Sequence, residues 1–167
     1  LMHHALVGSS GRLGIIAEVS LKVFPRPEAS CTLVARAPSL KDAVAAHEGL
    51  RLANLDLDAL DLDATSGVVS ARLAGAADAL DARGRRAGGV LALPADRLIG
   101  FDEARHWTAQ SLAAWPSDAA TVKVPATPSR LAATLETLVP FGPCRASAGG
   151  AVVYLHSSHP LDAIDAT

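Results

Sequence analysis

The sequence predicts an α+β fold, an antiparallel sheet with helices on one face, and three observations support this. A strand–helix–strand–strand order is readable twice, once from Thr32 to Leu73 and again from Thr121 to His156. Each helix opens behind a Pro-Ser pair, as VARAPSLKDAV beside KVPATPSRLAAT shows. Each unit also closes on a glycine-led alternating strand, SGVVSARL beside GGAVVYLH. Two β-α-β-β units of this kind pack naturally into one sheet, a duplicated ferredoxin-like arrangement.

In chain order, Leu1 to Val7 reads as the end of an apolar segment. Gly8 to Gly14 is a glycine turn, and Ile15 to Phe24 alternates as a strand, with Val19, Leu21 and Val23 on one side and Glu18, Ser20 and Lys22 on the other. Pro25 and Pro27 close it, because proline cannot continue a sheet ladder. The PRPEAS stretch is a linker by composition, dividing the chain into residues 1–28 and an α+β domain over 29–167.

Thr32 to Ala37 is then a strand. Ser39 is the N-cap of a helix whose apolar face is marked by Leu40, Val44 and Leu52. Ala59 to Asp63 and Gly67 to Leu73 are strands. A helix from Gly75 to about Arg86, a short strand at Val90 to Leu93 and a helix from Phe101 to Trp115 separate the two units. In the second, Thr121 to Val124 is a strand and RLAATLETLV a helix, with strands at Cys144 to Ser147 and Ala151 to His156.

Composition sets limits. A chain of 167 residues buries roughly 70% of its unfolded surface, enough for a core without staples. A net charge of −2 argues against a nucleic-acid surface, and no apolar run approaches the ~20 residues of a membrane helix. Cys31 and Cys144 are too few and too far apart for an iron–sulfur cluster or a C-x-x-C pair, so two buried free thiols are expected. No signal peptide is visible, and the expected location is cytoplasmic.

The Gly-x-x-Gly-x-x-Gly spacing of Gly8, Gly11 and Gly14 raises the question of a dinucleotide-binding turn. Such a turn needs a helix after it and an acidic residue about 20 positions on. The alternation through Val23 and the prolines behind it leave no helix to hold a pyrophosphate.

The longer stretch GSSGRLGIIAEVSLKVFPRP resembles a segment late in the FAD-binding domain of vanillyl-alcohol-oxidase-type flavoenzymes, with the pattern G-S-x-G-x-L-G-I-I-T-E-V-x-L-K-L-x-P-x-P. Gly8, Ser9, Gly11, Leu13, Gly14, Ile15, Ile16, Glu18, Val19, Leu21, Lys22, Pro25 and Pro27 match it; Ala17 stands where threonine is frequent. Within that family the nearest resemblance is to the FAD-binding E subunit of glycolate oxidase, with RHWTAQSLAAW in the place of a tryptophan-containing helix.

The resemblance implies FAD held between two subdomains and hydride transfer from a 2-hydroxy acid to the flavin. It implies Gly8, Ser9, Gly11, Gly14 and Ile16 as flavin-side contacts, and residues 1–28 as the C-terminal remnant of the FAD-binding domain. It implies a D-type flavoprotein and an iron–sulfur subunit as partners. The pyrophosphate-binding loop belongs to an earlier subdomain, so the chain is expected to be a piece of a longer protein, to hold only part of the FAD site and to be inactive by itself. The rival expectation is a ferredoxin-like interaction or small-molecule-binding module without redox chemistry.

Other polar residues have blander readings. His156 and His159 are spaced too loosely for a metal set and read as a solvated strand end. His3 and His4 precede the glycine turn, and His106 beside Trp107 fits a helix surface. Asp56, Asp58, Asp61 and Asp63 lack the glycine and the twelfth-position glutamate of a calcium loop and read as solvated charge. Arg83, Arg85 and Arg86 suit a helix C-terminus, and Trp107 and Trp115 read as core or interface anchors. No catalytic residue is singled out.

Overall fold

The computed structural model describes residues 9, 11–15, 17–23, 25–111 and 119–159. These form an α+β domain with seven strands in one open antiparallel sheet. The strands are β1 (Ala29–Arg36), β2 (Ala59–Asp63), β3 (Val68–Gly75), β4 (Ala95–Leu98), β5 (Ala120–Pro125), β6 (Cys144–Ser147) and β7 (Val152–Ser157). The helices are α1 (Leu40–Leu52), α2 (Ala77–Leu91), α3 (Gly100–Ala109) and α4 (Leu131–Leu138). The sheet order is β4-β1-β3-β2-β6-β7-β5. Read outward from the β2–β6 seam, the first unit lays down its strands as β2, β3, β1 and the second as β6, β7, β5. None of the four helices is long and apolar enough to cross a membrane.

Period-two alternation gives the sheet two unlike faces. In β1, Cys31, Leu33 and Ala35 enter the core, and their register partners Leu73, Ala71 and Val69 of β3 do the same. Leu60 and Leu62 of β2, with Ala146, Val153 and Leu155, complete the apolar side. Helices α1, α2 and α4 bury their apolar residues in the same core. The expectation of helices on one face holds for these three. Helix α3 lies on the other face, as its bonds to Ser30 and Thr32 show.

Local chemistry accounts for the helix starts. Ser39 Oγ accepts from the Asp42 N–H at 3.2 Å and donates to the Asp42 carboxylate at 2.6 Å, so α1 begins where its cap predicts. Its buried face, however, is Ala43, Ala46, His47 and Leu50, and Leu52 is exposed. Three small or polar residues there hide the stripe from a pattern search. Helix α4 starts one 3₁₀ turn behind Thr127, where Pro128 occupies the first turn.

Three elements differ from expectation. Val90 and Leu91 finish helix α2, and the strand comes later, at Ala95–Leu98. Gly88 and Gly89 invite a break, yet Leu80, Gly84, Ala87 and Leu91 form one continuous buried stripe, and that packing carries the helix on to Ala92. Helix α3 ends at Ala109, and Trp115 lies outside the described residues. Of the strand expected over Ile15–Phe24, Ile15 and residues 17–23 have no strand assignment and no sheet partner among the described residues, and Ile16 and Phe24 lie outside them. An alternating sequence sets which side chains share a face but needs a neighbouring edge to become a strand.

Gly142 brings the end of α4 up to β7. Its φ is +147°, and a Cβ there would overlap the His156 carbonyl oxygen. Only glycine permits that approach.

Candidate functional site

The polar face of the sheet carries the densest chemistry. Ser30 and Thr32 of β1 lie on it, opposite Ala74 and Arg72 of β3 in register. Helix α3 presents Glu103, His106 and Trp107 to this face, spaced i, i+3, i+4 as one helical side requires. Ser30 Oγ donates to Glu103 Oε2 at 2.5 Å, and Thr32 Oγ1 donates to Glu103 Oε1 at 2.8 Å. Thr32 Oγ1 in turn accepts from the Trp107 indole N–H at 2.8 Å.

Arg72 Nε reaches Glu103 at 3.2 Å, and its Nη1 pairs with Asp58 at 3.1 Å. Glu103 is 4% exposed, a buried carboxylate whose charge is met by one guanidinium and two hydroxyls. A cavity of about 1000 Å³ opens beside this network, with Arg26, Arg72, Arg97, Ile99, Glu103 and Trp107 among its walls.

Farther across the same face, His106 Nε2 and Ser70 Oγ are hydrogen-bonded at 2.9 Å. Burial holds the His106 imidazole below its ordinary range, Arg145 adds to this, and Glu103 opposes it. Ser70 is buried under α3, so the pair anchors the helix and is not placed to attack a substrate.

Asp63 faces Arg145 across the β2–β6 seam, and Arg145 faces Tyr154 of β7. Burial raises the Asp61 carboxyl, while a hydrogen bond from Ser147 and the charge of Arg145 pull it back. Burial likewise lowers Arg145, against the pull of Asp63 and Asp61.

The aspartate run is therefore structural and not merely solvated. Asp63 Oδ1 accepts from the Thr65 and Ser66 N–H groups at 2.9 and 3.0 Å and shapes the β2–β3 turn. Asp56 pairs with Arg83 at 3.6 Å and Asp58 with Arg72. Arg83 sits within α2, not at its end, and donates to the Ala74 and Asp56 carbonyls at 2.8 and 2.7 Å. His156, read as a solvated strand end, is 8% exposed within β7. His159 accompanies Ser157 and the Phe141 carbonyl. Among the described residues no three metal-ligating side chains converge. Cys31 and Cys144 are free and buried.

Of the flavin-side residues, Ser9, Gly11 and Gly14 are described; Gly8 and Ile16 lie outside the described residues, as do His3 and His4. The Ser9 carbonyl accepts from the Arg12 N–H at 3.0 Å, closing a turn in which Gly11 takes φ +78°. Among the described residues nothing lies within 4 Å of a Cβ built on Gly11. Leu13, Ile15, Val19, Leu21 and Val23 are all exposed, Ile15 at 96%. Among the described residues no hydrogen bond joins the glycine turn to the Glu103–Arg72 network.

Sequence reasoning missed the network because Glu103 carries no pattern of its own and His106 reads as helix surface; Trp107, read as a core or interface anchor, does pack onto the sheet through Thr32. The signal was in β1, where Ser30 and Thr32 alternate with Cys31 and Leu33 and so promise a polar partner on the second face. No protein-family model and no curated protein matches the chain.

Proposed function

We propose that the chain is part of a FAD-dependent oxidoreductase that oxidises a 2-hydroxy acid such as glycolate, and that it contributes one wall of the flavin site. The observation that carries this reading is the run of matched positions from Gly8 to Pro27, too long to arise from three glycines alone. Gly8, Ser9, Gly11, Gly14 and Ile16 are the cofactor contacts in this reading.

The described part of that stretch fits the role. It is an exposed turn with a left-handed glycine and open space above it, where backbone amides can meet a flat ring without a side chain between. FAD supplies the hydride acceptor; the protein's part is binding and orientation.

In the same reading residues 1–28 end a FAD-binding domain and residues 29–167 are a duplicated ferredoxin-like domain that closes over the substrate. The matching outward strand orders on either side of the β2–β6 seam support the duplication. A D-type flavoprotein and an iron–sulfur subunit are its proposed partners, and the cytoplasm its proposed location.

A second reading, a small-molecule-binding module without redox chemistry, is favoured by one observation, the cavity beside Arg72 and Glu103. The visible spectrum of the full reading frame distinguishes the two. Flavin bands that copurify with the protein support the oxidoreductase; a colourless full-length protein that takes up no added FAD refutes it.

A further inference from the structure

We infer that helix α3 is a hinged cover, which swings off the polar face of the sheet as a unit while the rest of the domain stays folded. Its opening joins the cavity at the sheet's end to that face. This goes beyond the flavin reading and does not depend on it.

The four helices are held in two different ways. Helices α1, α2 and α4 bury apolar stripes that include Leu50, Leu80, Leu91 and Leu135. Helix α3 fully buries a single residue, the carboxylate Glu103. The large apolar residues at its start point to solvent, Ile99 at 60% and Phe101 at 79% exposure.

Among the described residues its seam is made of hydrogen bonds: Glu103 with Ser30, Thr32 and Arg72, His106 with Ser70, and Trp107 with Thr32. Water can replace such partners with a small net change, whereas it cannot replace buried leucine contacts. The surfaces uncovered are hydroxyls and a guanidinium, which hydrate readily.

A hinge is present where the movement needs one. Gly100 is the first residue of α3, separated by Ile99 from the end of β4 at Leu98; it takes φ +56° and, among the described residues, has nothing within 4 Å of a built Cβ. Glycine at this position reaches a wider range of φ and ψ than any other residue. Gly100, Glu103 and Trp107 also line the cavity of about 1000 Å³, so a swing about Gly100 widens that space toward Thr32 and Ser70.

Native-state hydrogen exchange on the whole chain, followed by mass spectrometry in rising urea below the unfolding transition, tests this. The expected result is at least tenfold lower protection of the Ala104–Ala109 amides than of those in α1 and α2, with little urea dependence. Trp107→Phe, which removes only the indole donor, and Glu103→Gln are expected to speed α3 exchange several-fold while its urea dependence stays small. Exchange of α3 at the same rate and with the same urea dependence as α1 and α2 in the unaltered chain overturns the inference. So does α3 exchange in Trp107→Phe that takes on the urea dependence of α1 and α2, whether or not Glu103→Gln folds.

Discussion

Arg72 Nε on β3 lies 3.2 Å from Glu103 Oε1 on α3, and that oxygen also accepts from Thr32 on β1, so one buried carboxylate gathers a helix and two strands. Glu103 is buried while Arg72 is partly exposed, and without Arg72 the carboxylate keeps only its two hydroxyl donors. Arg72→Met is therefore expected to destabilise the domain by about 1–3 kcal/mol. Glu103→Met should have an effect of similar size, and the double substitution less than their sum. Urea unfolding of the four species gives the coupling, expected at about 1–3 kcal/mol. Simple additivity would show that the pair contributes nothing.

His47 sits in the core of α1 at 1% exposure, and its Nε2 has no hydrogen-bond partner among the described residues. Burial, aided by Arg51, lowers its pKa to about 4 from the ordinary 6.5. The unfolded chain then binds the proton more readily than the folded one. The stability associated with neutral His47 is complete above pH 6.5 and declines as pH falls from 6.5 toward 4. The full shift corresponds to about 3 kcal/mol. His47→Leu should flatten this part of the stability profile in urea titrations between pH 4 and 7; an unchanged slope would assign the acid sensitivity elsewhere.

Gly142→Ala tests the tightest backbone approach in the domain. The added methyl would meet the His156 carbonyl, which is held in the β7 ladder and cannot step aside cheaply. We expect a loss of more than about 3 kcal/mol, at the upper end for single substitutions. A melting temperature within a few degrees of the parent would contradict this geometry.

Burial, with Asp63 adding to it, pushes the Cys144 thiol up to about 11. It stays protonated in the folded state at pH 8, and thiolate is the reactive form. Modification by a disulfide reagent should be negligible in the native protein and fast in guanidinium. The sign on stability is the reverse of that for His47: the contribution is intact below pH 9 and falls as pH rises from 9 through about 11. Rapid native labelling at Cys144, read by peptide mapping, would count against its burial.

Within the oxidoreductase reading, Gly11→Ala in the full reading frame should lower flavin retention several-fold. The new methyl projects into the open space above the turn, and φ +78° strains an alanine by about 1–2 kcal/mol. The ratio of flavin to protein absorbance measures it. An undiminished ratio would remove Gly11 from the cofactor contacts.

How much of this was legible in the sequence follows from which forces are local. Ser39 announces its helix because a cap is a contact three residues long, and Ala59–Asp63 and Cys144–Ser147 follow from alternation alone. Val90 and Leu91 were misleading because glycines weaken a helix locally while the Leu80–Leu91 stripe, a tertiary matter, holds it. His47 and Glu103 were hidden for a related reason: a polar residue's burial depends on what packs around it, and those partners come from distant strands. The exposed apolar stripe from Leu13 to Val23 is the converse, plain as a pattern and without a sheet partner among the described residues.

The β2–β6 seam has a mechanical consequence. In register it is two pairs long, Leu62 with Ala146 and Asp63 with Arg145, extended by the bond from the Ala64 N–H to the Cys144 carbonyl. The ladders on either side of it are longer, five pairs between β2 and β3 and four between β6 and β7, and the β1–β3 and β5–β7 ladders beyond them run through eight and six. Under tension across the sheet, the molecule has a natural parting line, and it runs between a four-stranded half with three helices and a three-stranded half with α4.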